Sequence, residues 1–138
     1  MKKTAKLVKV KPKPKPKLKP NKLQPTFEQL KKILRRYERR LTVTAYSAAG
    51  YSLDAAFSPK YNKEIFFGAV RIQKNYVSYY LMPVYVFPAL LKDISPALKK
   101  RMQGKSCFNF TTIDETLLAE LSELTDKCFK KFEDGKMI

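Results

Sequence analysis

The sequence contains no histidine and no tryptophan, and only two cysteines and four glycines. Without histidine, a Ser-His-Asp triad, a Cys-His pair, a zincin helix and every His-ligated metal site are excluded. Two cysteines outside any Cys-x-x-Cys spacing are too few for a structural zinc or an iron–sulfur cluster. Acid is scarce as well: 12 Asp and Glu face 29 Lys and Arg, a net charge of +17. Long apolar runs are missing. The longest uncharged run, Asn75 to Leu91, is broken by Pro83 and Pro88 and falls short of a bilayer span. No seven-residue apolar stretch follows the N-terminal charges, so no secretory signal is read there. The expected setting is cytoplasmic and reducing, with both thiols free.

What is present is lysine, unevenly placed. Residues 1–25 hold ten Lys and no acid, whereas residues 26–138 hold 19 basic and 12 acidic residues, so the charge divides into +10 and +7. The first segment alternates Lys and Pro from Lys11 to Pro16. Proline removes the amide donor, and like charges at every second position extend the chain. The expectation is a disordered basic arm over residues 1–25 and a folded domain over residues 26–138.

Within the domain the periodicity predicts a helix from Thr26 to Leu41, because Phe27, Leu30, Leu34, Tyr37 and Leu41 recur at spacings of three and four. Thr26 and Gln29 read as a capping box. Strands follow at Thr42–Tyr46, Tyr51–Phe57, Glu64–Gln73 and Tyr76–Met82, the third apolar on both sides in the manner of a covered central strand. Val84–Phe87, between prolines, reads as an extended edge. Ala89–Asp93 fits one helical turn. Ser95-Pro96 opens a short helix to Gln103, closed by Gly104. Cys107–Phe110 is a strand. Thr112 with Glu115 marks the start of a long helix ending at Gly135. The class is α+β: an antiparallel sheet of about five strands flanked by an N-terminal helix, a short helix and a long C-terminal helix.

Four features bear on chemistry. Gly104-Lys105-Ser106 resembles the end of a phosphate-binding loop, but position 99 is Lys where glycine is required and the order of elements is wrong. Lys105 therefore stands as a point charge. Cys107 and Cys128 fall on apolar patterns and read as core. Tyr76, Tyr79, Tyr80 and Tyr85 cluster near Arg71 and Lys74, and aromatics interleaved with cations on a sheet can stack bases and neutralise phosphates. The plainer reading is that tyrosine forms strands well. The sharpest charged feature is the stripe Lys31, Lys32, Arg35, Arg36, Arg39 and Arg40 on the first helix, which repels itself at i,i+4.

The run VRIQKNYVSYYLMP from Val70 to Pro83 and the run LKKRMQGKSCFNF from Leu98 to Phe110 resemble the bacterial YdhG-like family. That family is a domain of unknown function, grouped by fold with frataxin-like iron chaperones. The resemblance covers roughly Phe27 to Phe132, leaves out the arm and matches Thr42–Phe57 poorly. It implies a small α+β domain with a curved antiparallel sheet and flanking helices. It implies no established activity, and the iron role of some members is not carried over. A hard cation wants carboxylate oxygens, and the first helix here presents six basic residues against Glu28 and Glu38.

The expectation is a non-catalytic module that binds a polyanion, nucleic acid or another phosphate polymer, through the arm and first helix. No cofactor and no metal are expected. The alternative is a small-ligand or metal chaperone using a groove near Tyr79, Tyr80 and Lys105, with the arm accessory; a cavity lined by Arg71, Lys74 and tyrosine hydroxyls would favour it.

Overall fold

The computed structural model describes residues 22–55, 58, 60 and 62–136. Residues 1–21 of the basic arm lie outside the described residues, as do positions 56 and 57 of the second expected strand. The fold is α+β, with four α-helices and one six-stranded antiparallel sheet. The helices are α1 (Gln24–Arg35), α2 (Met82–Val86), α3 (Pro96–Lys99) and α4 (Glu115–Asp134). The strands are β1 (Thr42–Tyr46), β2 (Gly50–Asp54), β3 (Phe66–Ile72), β4 (Val77–Leu81), β5 (Met102–Gln103) and β6 (Cys107–Phe110), in spatial order β1-β2-β3-β4-β6-β5.

Register explains the two faces. Tyr51, Val70, Tyr79 and Phe108 form one cross-strand row, and Leu53, Gly68 and Leu81 another; all turn toward the helices. There they meet Phe27, Leu30 and Leu34 of α1 and Leu121, Leu124 and Phe132 of α4 in a single core. Phe67 packs edge-on against Phe129 and Phe132, with ring centroids 6.0 and 5.8 Å away. A bulge between Leu53 and Asp54 shifts the register beside Phe67. The apolar start of β3 therefore reflects a bulged strand and not coverage from both sides. The face opposite the helices carries Ser52, Ala69, Arg71, Ser78, Tyr80 and Asn109.

Helix α1 starts two residues earlier than its apparent capping box. Pro25 occupies its first turn, where a missing amide is harmless. Thr26 is buried and its hydroxyl donates to the Thr111 carbonyl at 2.9 Å, tying α1 to the end of β6. Gln24 and Pro25 thus belong to the domain, not to the arm. The helix stops at Arg35, and Tyr37 and Leu41 reach the core from the turns that follow.

Four further corrections concern where elements begin and end. Val84–Phe87 is not an extended edge: Pro83 stands in the first turn of α2, so proline begins a helix there. Helix α3 ends at Lys99, and Met102–Gln103 pairs with β6 as a sixth strand. Gly104 then turns that hairpin with φ +78° and caps no helix. The cap of α4 is Asp114, whose carboxylate accepts from the Leu117 amide at 2.8 Å, and not Thr112. Ser95 caps α3 as its sequence suggests, accepting from the Leu98 amide at 3.1 Å.

Candidate functional site

The six cations of the first-helix stripe do not form one array. Lys31, Lys32 and Arg35 lie on α1, while Arg36, Arg39 and Arg40 lie in the turns after it. Lys31 is only 9% exposed. Its ammonium sits 3.2 Å from the Glu28 carboxylate and over the rings of Phe27 and Tyr46. Arg35 donates to Glu38 at 3.1 Å, and Arg40 to Glu133 at 2.5 Å. Glu38 also accepts from the Tyr51 hydroxyl at 2.6 Å, which with Arg35 holds its carboxyl below the usual range. Arg36 donates to the Ser122 hydroxyl at 2.6 Å. Lys32 and Arg39 are exposed and in no ion pair among the described residues. Lys32 and Arg36 line one wall of a groove of about 430 Å³ between α1 and α4, with Glu115 and Ser122 on the other.

A second basic place lies at the N-terminal entry to the domain. Lys22, Lys74, Asn75, Thr111 and Thr112 line a cavity of about 450 Å³. The β3–β4 turn brings Lys74 there, and the Thr26–Thr111 bond holds the start of α1 against the same corner. Sequence pattern singles out Lys74 but not Lys22, which it assigns to the arm. Placing Lys22 needs the earlier helix start.

The tyrosine groove does not assemble. Tyr79 and Tyr80 point to opposite faces of β4. Tyr79 is fully buried, 0% exposed, with its hydroxyl 2.7 Å from Thr125. It is a core residue and lines no groove. Lys105 is exposed in the β5–β6 turn beside Tyr85, Pro88 and Leu91, around another cavity of about 450 Å³. Arg71 and Tyr80 remain together on the outer face, where Arg71 is exposed and Tyr80 half-buried.

The cysteines also separate. Cys128 is buried in the core, and burial pushes its thiol up to about 12. Cys107 lies on the outer face instead of the core, with its sulfur 3.3 Å from Asn109 Oδ1, and burial raises its pKa too. Neither thiol is activated as a nucleophile. Among the described residues, no three Cys, Asp or Glu side chains come together in a way that could hold a metal ion. Among the same residues, no helix is long and apolar enough to cross a membrane. Searches against family models, curated proteins and solved structures return no match to this chain.

Proposed function

We propose that the protein is a non-catalytic binding module for a polyanion, a nucleic acid or another phosphate polymer, working in the cytoplasm. The observation that carries this reading is the excess of cations without acidic partners. Ion pairs among the described residues engage Lys31, Arg35, Arg40 and Lys130. They leave Lys22, Lys32, Arg39, Arg71, Lys74 and Lys105 exposed and uncompensated. A monomer gains nothing in stability from such surplus charge, whereas counterion release makes it effective against a phosphate chain. The lysine-rich segment 1–21 leads directly to Lys22, so its charge continues into the corner at Lys74. Membership of the YdhG-like family is proposed on the resemblance alone. Its two runs fall on β3–β4 and on α3 through β6.

The test is fluorescence anisotropy with a short DNA duplex over a salt series, using the intact chain and one beginning at Lys22. That start keeps Leu23, whose carbonyl accepts from the Phe27 amide, and Gln24, which donates to Ala48. If half of the arm's lysines engage, the intact chain loses affinity with a log–log slope steeper by about 4. Equal slopes for the two chains would rule out the arm as the main contact.

A further inference from the structure

Residues of all four helices join the core on one side of the sheet, and no described helix packs on the other. Two rows cross that other face. Arg71, Ser78 and Asn109 stand side by side on β3, β4 and β6, and the backbone N–H of Asn109 donates to the Arg101 carbonyl, which puts Arg101 at the far end of this row. Beside it run Ser52, Ala69, Tyr80, Cys107 and Gln103. Arg71 and Arg101 are both exposed and in no ion pair among the described residues. Among the described residues, the one carboxylate on the strands of this face is Asp54, at the opposite end of the hairpin from Arg71.

Tyr80 has an unusual posture on this face. Its cross-strand neighbour is Ala69, yet its hydroxyl accepts from Nε2 of Gln73 at 3.4 Å. Gln73 is four residues farther along, roughly 13 Å at the rise of an antiparallel strand. A tyrosine standing upright from the sheet cannot span that gap. Its side chain therefore leans along the strand toward Gln73. Ser78, two residues before it on the same face, is 2% exposed, with its hydroxyl donated to Asn109 at 2.8 Å. The outcome is a half-buried aromatic side chain leaning along a polar face that also carries the exposed Arg71 and Arg101.

We infer that this face is a platform for single-stranded nucleic acid, with a base stacking on Tyr80 and the flanking phosphates on Arg71 and Arg101. The inference rests on the polyanion reading and narrows it. An aromatic ring recognises a base and has nothing to offer a polymer of phosphate alone, and a duplex keeps its bases stacked on one another. Arginine suits the role because its planar group both stacks and donates to phosphate in pairs. Charge complementarity fixes the direction, since the strand runs past the Arg71–Arg101 row and away from Asp54.

The experiment measures binding of the intact chain to oligo(dT), oligo(U), a duplex and inorganic polyphosphate at low salt. Both single strands should bind, and Tyr80→Ala should weaken them about tenfold or more while leaving polyphosphate unchanged. Arg71→Ala and Arg101→Ala should each flatten the single-strand salt slope by about 0.7. In parallel, amide shifts of the unaltered chain titrated with oligo(dT) should move at Ala69, Ser78, Tyr80 and Asn109. That map decides the matter even where Tyr80→Ala fails to fold. Single strands held equally well by Tyr80→Ala, or shifts confined to α1 and the Lys74 turn, would overturn the platform and leave polyanion binding standing. No binding to any of the four would overturn both.

Discussion

Tyr79 carries a hydroxyl into a site with no water-facing surface, and the direction of its hydrogen bond can be deduced. Thr125 has one hydroxyl hydrogen and gives it to the Leu121 carbonyl at 2.8 Å. The 2.7 Å contact with Tyr79 must then run from the tyrosine to Thr125 Oγ1. The two possible truncations are therefore unequal. Tyr79→Phe removes the donor and leaves Thr125 still bonded to Leu121, a loss of about 0.5–1.5 kcal/mol. Thr125→Val keeps the shape but strands a buried tyrosine hydroxyl, a penalty of about 1–3 kcal/mol. The double variant leaves nothing unpaired and should be more stable than Thr125→Val alone. Urea unfolding of the four proteins, with midpoints and slopes fitted together, measures the cycle. If Thr125→Val proves no worse than Tyr79→Phe, or if the two changes simply add, the donor assignment is wrong. Thr125 would then be the donor and the Tyr79 hydroxyl the acceptor.

The other predictions concern the frame around that site. Gly68→Ala would place a Cβ 2.9 Å from the Tyr80 carbonyl and 3.2 Å from Leu34, so β4 or α1 must shift. The expected net cost is about 1–2 kcal/mol after the entropic gain of alanine, read as a lower thermal midpoint. An unchanged midpoint would mean that helix and sheet are farther apart. Asp114→Ala should cost about 1 kcal/mol, while Thr112→Ala should cost almost nothing in the same melt, because only Asp114 caps α4. Burial raises the pKa of Tyr37 to about 12 and shifts Tyr51 and Tyr79 upward as well. Unfolded tyrosine titrates near 10, so the folded state holds protons that the unfolded state has released. Stability should be full below about pH 10 and fall as pH climbs toward 12. Tyrosinate absorbance should show late-titrating groups, and simultaneous titration of all eight tyrosines in the folded protein would refute this.

Much of the fold is legible in the sequence because hydrophobic period and strand alternation are local signals. The spacing of Phe27, Leu30, Leu34, Tyr37 and Leu41 identifies the buried side of α1 and its extension, and the alternation in β2 identifies its inner face. Errors arise where proline and glycine have two meanings. Pro83 and Pro25 begin helices, and Gly104 turns a hairpin; only tertiary pairing distinguishes these roles from breaking a strand or closing a helix. The candidate site is less legible for a different reason. Charge is visible in the sequence, but neutralisation is not: Glu133 comes from the far end of the chain to meet Arg40, and Ser122 to meet Arg36. Reading Met102–Gln103 as helix also hides Arg101, whose role depends on the Met102–Phe108 register. A Met-Gln pair before Gly104 and an apolar strand after it is the signal that points to that hairpin.

Cations without acidic partners, not cations in general, are what should hold the polyanion. The deciding measurement is the salt slope on one short duplex for the intact chain and two sets of variants. Lys32→Gln, Arg39→Gln and Lys74→Gln combined should flatten the slope by about 2–3, close to 0.9 for each phosphate no longer neutralised. Arg35→Gln with Arg40→Gln removes partners of Glu38 and Glu133 and should change the slope by less than about 1. The same slope in all three proteins, or a larger change from the paired arginines, would show that the unpaired cations do not hold the phosphates.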